Sequence, residues 1–140
     1  MVHKYSFDTG FLTLALTDSL PEKWTRPWNE VRKEGRACYI IEPVFMETYY
    51  QLMMKKGMDK ENAKANIMRI KSLKSINIPI LDDNDSFRAA LFHIRFDNLS
   101  FVDSFVLAIA EKLKLKIYTT DGPLKMAAKK IKVLYDYLPI

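Results

Sequence analysis

Residues 4–16 read KYSFDTGFLTLAL, and the fold turns on how this stretch is divided. Lys4 to Phe7 has strand character, Asp8 stands alone, and Thr9 to Leu16 continues as a helix. A single Asp before a helix is ordinarily an N-cap, because its side chain accepts a bond from an unpaired first-turn N–H. Asp8 alone therefore says little. The same order of strand, acid and helix recurs along the chain, and the recurrence carries the reading.

Working outward, Pro21 opens a helix through Trp24, Trp28 and Val31 to about Glu34, with the tryptophans spaced as packing residues. Cys38 to Ile41 is a short buried strand, and Pro43 starts a helix that Gly57 stops. Asp59 caps a basic helix, and Asn77 to Leu81 forms a third strand that Pro79 keeps short or at an edge. A helix follows from Asp83 to Phe96, then a strongly apolar one from Ser100 to Leu115. Lys116 to Thr119 is a fourth strand, Pro123 to Lys130 a helix, and Lys132 to Tyr135 a fifth strand. This alternation predicts one α/β domain over residues 1–140: a three-layer α/β/α sandwich around a mainly parallel sheet of four to five strands.

The composition, with 49% hydrophobic and 28% charged residues, is that of a globular chain rather than a disordered one. A net charge of +5 favours an anionic partner such as nucleic acid, although a lysine-rich surface also serves solubility. The lone Cys38 has no internal disulfide partner, which together with the lack of a secretory signal or a membrane-length apolar run places the expectation in the cytoplasm, away from membranes.

Each of the first four strands is followed by acids: Asp8, then Glu42 and Glu47, then Asp82 and Asp83, then Asp121. In a parallel sheet the carboxyl ends of the strands open on one edge, so acids remote in sequence meet there. Clustered carboxylates raise one another's pKa values unless a cation lies between them, and Mg²⁺ or Mn²⁺ does this with oxygen ligands. Asp103 is the only charged residue between Asp97 and Glu111, in NLSFVDSFVLAIA, where an unpartnered carboxylate is costly. Ser100 and Asp103 also have the spacing of a capping box, a reading compatible with metal binding. Glu47 continues with Gln51 and Lys55 on the polar side of a helix whose apolar face is Phe45, Met46, Tyr49, Leu52 and Met53, and Glu42 lies nearer the strand end as a ligand or cap.

With these residues placed, the chain resembles the PIN-domain nucleases, and among them the VapC-type toxin ribonucleases. FDTGFL resembles the family's opening Asp, PVFMETYYQL its Glu, LSFVDSFVLAIA its buried Asp, and YTTDGPL its closing Thr-x-Asp. The resemblance covers essentially the whole chain. It implies an acidic catalytic and metal site of Asp8, Glu47, Asp103 and Asp121, with Thr9 and Thr119 supporting it and Glu47 preferred over Glu42. The closing acid in such proteins often acts through water. Gly10 departs from the Ser or Asn that family members often carry two residues after the first acid.

What the resemblance implies is a metal-dependent endoribonuclease using Mg²⁺ or Mn²⁺, the toxin of a toxin–antitoxin pair. It also implies an antitoxin partner and a homodimer, with Trp24, Trp28 or the helix after Asp59 as contact surfaces. Candidate RNA phosphate contacts are Lys55, Lys56, Arg69, Arg88, Arg95, Lys125, Lys129 and Lys130. The competing readings are a catalytically silent PIN fold serving as a binding module and an RNA-processing nuclease of the same fold. There is no phosphate-binding glycine loop and no His pair at metal-ligand spacing. A phosphate-receiving signalling domain would carry an acidic pair after its first strand, and a haloacid-type phosphatase a second Asp two residues on; FDTG offers one acid.

Overall fold

The computed structural model describes residues 3–140. In chain order the elements are β1 (Tyr5–Phe7), α1 (Thr9–Leu16), α2 (Glu22–Arg32), β2 (Cys38–Tyr39), α3 (Glu42–Met54) and α4 (Lys60–Lys71). There follow β3 (Ile76–Asn77), α5 (Asp83–Arg95), α6 (Phe101–Leu113), β4 (Lys116–Thr119), α7 (Gly122–Lys130) and β5 (Tyr135–Tyr137). All strand pairs are parallel and the order is β3-β2-β1-β4-β5, so the chain steps outward from β1 in one direction and then in the other. That order places the topological switch between β1 and β4, the position at which open parallel sheets hold their ligands. The α/β/α sandwich expected from the sequence is the observed fold.

The core explains why β1 and β4 lie at the centre. Phe7 on β1 stacks on Phe11 of α1 at 3.8 Å, Trp24 of α2 packs on Phe11 at 5.0 Å, and Tyr118 of β4 meets Phe7 edge-on at 5.7 Å. Large aromatic faces removed from water contribute roughly 25 cal/mol per Å² of apolar area, and here they clamp the strand–helix junction on both sides of Asp8. Trp24 is fully buried and its Nε1 donates to Asp136 Oδ1 at 3.2 Å, while Trp28 is also in the core. Neither tryptophan is available as a surface contact, which corrects that expectation. Met46, expected on the apolar face of α3, is exposed; that face is built from Val44, Phe45, Thr48 and Leu52.

Three strands differ from their expected bounds, β2 by ending at Tyr39 rather than Ile41. β3 is limited to Ile76–Asn77, because Pro79 has no N–H to continue the ladder. β5 begins at Tyr135 rather than Lys132: the chain leaves α7 through Lys132 at φ 63, and a left-handed residue cannot lie in a strand. No helix among the described residues is long and apolar enough to cross a membrane.

Candidate metal-binding active site

Asp8 follows the last residue of β1 and is 2% exposed. Its side chain is the N-cap of α1, with Phe11 N donating to Oδ1 at 2.8 Å. The other oxygen, Oδ2, accepts from Thr119 Oγ1 at 2.6 Å and from the Thr120 N–H at 3.2 Å. Capping leaves Asp8 able to take a further partner, since a carboxylate has about four lone-pair positions and Oδ1 keeps one open. Burial pushes the Asp8 carboxyl up to about 6, against the pull of its Thr119, Phe11 and Thr120 donors.

The turn after β4 supplies the second wall. Asp121 N donates to Thr119 Oγ1 at 2.9 Å, so one hydroxyl joins the first strand's acid to the turn carrying the last one. Asp121 caps α7 through Oδ2, which accepts from Leu124 N at 2.8 Å. Gly10 has its explanation in the same turn. A Cβ at position 10 would lie 1.8 Å from Thr120 Oγ1, so the Thr120 side chain fills the space that a residue larger than glycine would occupy.

From α6, Asp103 contributes a carboxylate one turn in. Ser100 Oγ accepts from the Asp103 N–H at 3.0 Å, the first half of a capping box, while the Asp103 carboxylate makes no return bond to the Ser100 N–H. Asp103 is pushed up to about 8, first by burial and then by the charges of Asp8, Asp121 and Glu47. From α3, Glu47 accepts a bond from Thr9 Oγ1 at 2.8 Å, which turns it across to the start of α1. The polar side of α3 read from Glu47, Gln51 and Lys55 is thus the wall of a cleft. Asp8, Glu47, Asp103 and Asp121 all line that cleft, which has a volume of about 450 Å³ and includes Lys55 and Lys56 at its rim.

The remaining acids lie elsewhere. Glu42 pairs with Lys71 on α4, and Asp82 and Asp85 form a complete capping box on α5, with Asp85 also bonded to Lys112 at 3.1 Å. Among the expected RNA contacts, only Lys55 and Lys56 line the acid cleft. Arg88 is committed to Glu111 by two bonds at 2.9 and 3.0 Å, and Arg69 donates to Asn66 on its own helix. Arg95, Lys125 and Lys130 converge on a separate cleft, with Lys129 exposed at the end of α7.

Whether these residues suit a divalent cation can be judged from their chemistry. Among the described residues no three acidic, His or Cys side chains close into a ready-made cage. A hard cation such as Mg²⁺ does not need one, since it keeps several waters and binds through one or two carboxylates plus substrate phosphate. The donors here are all oxygen, and the repulsion that adds to burial in lifting Asp103 is what a cation relieves.

With this geometry in place, a PIN domain family model matches residues 5–130, and the chain belongs to that family. No curated protein matches the sequence. The structure is similar to VapC20 of Mycobacterium tuberculosis, described as a sarcin-ricin loop cleaving toxin, with 20% identity over 89% of this chain and 95% of that one and a TM-score of 0.72. It is also similar to VapBC2 of Rickettsia felis bound to a promoter DNA fragment, with 15% identity, 98% of each chain covered and a TM-score of 0.69. FitAcB of Neisseria gonorrhoeae matches with 15% identity over 94% of this chain and 95% of that one, at a TM-score of 0.64.

Proposed function

We propose that the protein is a metal-dependent endoribonuclease acting at the Asp8–Glu47–Asp103–Asp121 cleft, and that it is the toxin of a toxin–antitoxin pair. The observation that carries this is the convergence of four acids from four separate elements on one cleft at the β1/β4 switch point. A scaffold gains nothing from placing carboxylates where burial and repulsion both penalise them.

Bound Mg²⁺ or Mn²⁺ would activate water and offset the charge developing on the scissile phosphate. The chain's own part is positional. Asp8 is fixed by three donors that leave a lone pair of Oδ1 unused, and Thr9 holds Glu47 through one oxygen and leaves the other free. Asp103 holds a proton until a cation replaces it. Lys55 and Lys56 at the rim attract the phosphate backbone that the acids repel.

An antitoxin that covers the acid cleft belongs to the same proposal. It is motivated by relatives of this fold solved as VapBC2 and as a toxin–antitoxin complex from Klebsiella pneumoniae. So does a homodimer, with Phe87, Leu91 and Ile94 at its interface: they are 67%, 57% and 79% exposed on one face of α5, and a twofold pairing covers this apolar strip with itself. Light scattering that gives the mass of a single chain would contradict the dimer.

The experiment is cleavage of structured RNA by the wild type and by Asp8→Asn in Mg²⁺, in Mn²⁺ and in chelator. Metal-dependent cleavage is expected, with a loss of about 100-fold or more in the variant, because several kcal/mol of charge stabilisation depends on the cation. Full activity in a folded Asp8→Asn protein would overturn the assignment.

A further inference from the structure

Immediately past Asp121 the surface opens into a second cleft of about 490 Å³, lined by Arg95, Asp97, Gly122, Lys125, Lys130 and Tyr137 among others. It adjoins the acid cleft along two walls. At the start of α7, Asp121 faces the acid cleft and Gly122 the second one. In the α5–α6 connection, Ser100 faces the first and Asp97 and Asn98 the second.

The lining of this cleft is cationic. Lys23, Arg36, Lys71, Arg88 and Lys112 are all held by carboxylates. Among the described residues Arg95, Lys125 and Lys130 are in no ion pair, and the single carboxylate lining their cleft is Asp97. Tyr137 lines the same cleft, and Lys125 Nζ lies over one face of its ring at 5.1 Å from the centroid, so an aromatic ring stands within the cationic lining. Unneutralised cations beside an aromatic face are the components with which proteins hold single-stranded nucleic acid, through phosphate contacts and base stacking.

We propose that this cleft is the subsite for the RNA chain on one side of the scissile phosphate. Arg95, Lys125 and Lys130 neutralise backbone phosphates and Tyr137 stacks a base. The inference rests on the ribonuclease reading above and adds where the substrate lies: a polyanion is drawn to the four-acid cleft by cations on both flanks, Lys55 and Lys56 on one and this cleft on the other.

The test measures binding of a fluorescent single-stranded RNA oligonucleotide by anisotropy in chelator, across a range of salt, with cleavage in Mg²⁺ and Mn²⁺ assayed in parallel. The proteins are wild type, Lys125→Glu/Lys130→Glu, Arg95→Glu, and the charge-matched control Lys60→Glu/Lys64→Glu on α4. The double variant is expected to bind about tenfold or more weakly and to flatten the salt slope by at least about 1.4, or 0.7 for each phosphate no longer neutralised. Arg95→Glu is expected to weaken binding in the same direction, and the control to change affinity by less than about twofold. Cleavage by the wild type with affinity unchanged in both cleft variants, or reduced equally in the control, overturns the subsite and leaves the ribonuclease reading standing. Binding that depends on these cations without cleavage in either metal overturns the ribonuclease reading and leaves the subsite. A wild type that binds no RNA overturns the subsite.

Discussion

Asp8 and Asp103 bear the cost of assembling the site, and that cost is measurable as a pH dependence. Their carboxyls are raised from an ordinary 3.8 to about 6 and about 8. Between about pH 4 and pH 8 these two groups therefore bind more protons in the folded chain than in the unfolded one, and their contribution to stability falls as pH rises. The stabilisation is complete below about pH 4 and is lost as pH passes through the two raised values, with Asp8 alone accounting for about 3 kcal/mol. Urea unfolding in chelator should give a lower midpoint at about pH 8 than at about pH 5, Asp103→Asn should narrow the gap, and Mg²⁺ should narrow it in the wild type. Equal midpoints at both pH values would contradict the raised carboxyls. At this scale the sequence was informative about residue type and blind to what stands opposite. Glu42 and Glu47 lie on the same helix, and the Thr9 bond to Glu47 and the Lys71 pair with Glu42 separate a cleft acid from a surface one. Gly10 was likewise legible as a departure from the family, but its reason is the Thr120 side chain, 110 positions further along the chain.

Three of the four cleft acids stand at or within a turn of a side-chain helix cap, Asp8 on α1, Asp121 on α7 and Asp103 beside the Ser100 cap of α6, which ties local helix stability to the cleft. Ser100 caps α6, and loss of its hydroxyl should cost about 1 kcal/mol and loosen the turn that aims Asp103. Asp59 caps α4 in the same way, through the Asn62 N–H at 2.9 Å, but its helix holds no cleft acid. Ser100→Ala and Asp59→Ala should therefore be destabilised alike by denaturant, while cation affinity measured by calorimetry falls only in the former. Equal cation affinity in the two variants would separate the cap from the site. The helices were legible because caps, prolines and apolar spacing agree: α1 runs from Thr9 to Leu16 as read. The short strands were less so, because two or three residues carry little pattern and their ends depend on a proline or a left-handed residue.

Across the whole molecule, the parallel sheet does what no local pattern can. Strand order β3-β2-β1-β4-β5 sets the ends of β1 and β4 side by side, so Asp8 and the Thr119–Asp121 turn become neighbours through one hydroxyl. The recurrence of strand, acid and helix indicated a shared edge, but not which acids reach it: Asp82 and Asp83 follow β3 and do not line the cleft. If the four acids form a cation site, an arriving metal must displace the proton that burial, and then the neighbouring carboxylates, retain on Asp103. Calorimetric Mn²⁺ titration near about pH 7 in two buffers of different ionisation enthalpy counts the protons released on binding. Because Asp103 titrates at about 8, wild type should bind Mn²⁺ with release of about one proton, and Asp103→Asn should lose the release and most of the affinity. Mn²⁺ binding without proton release, or with the same affinity in Asp103→Asn, would rule out a cation site of this kind.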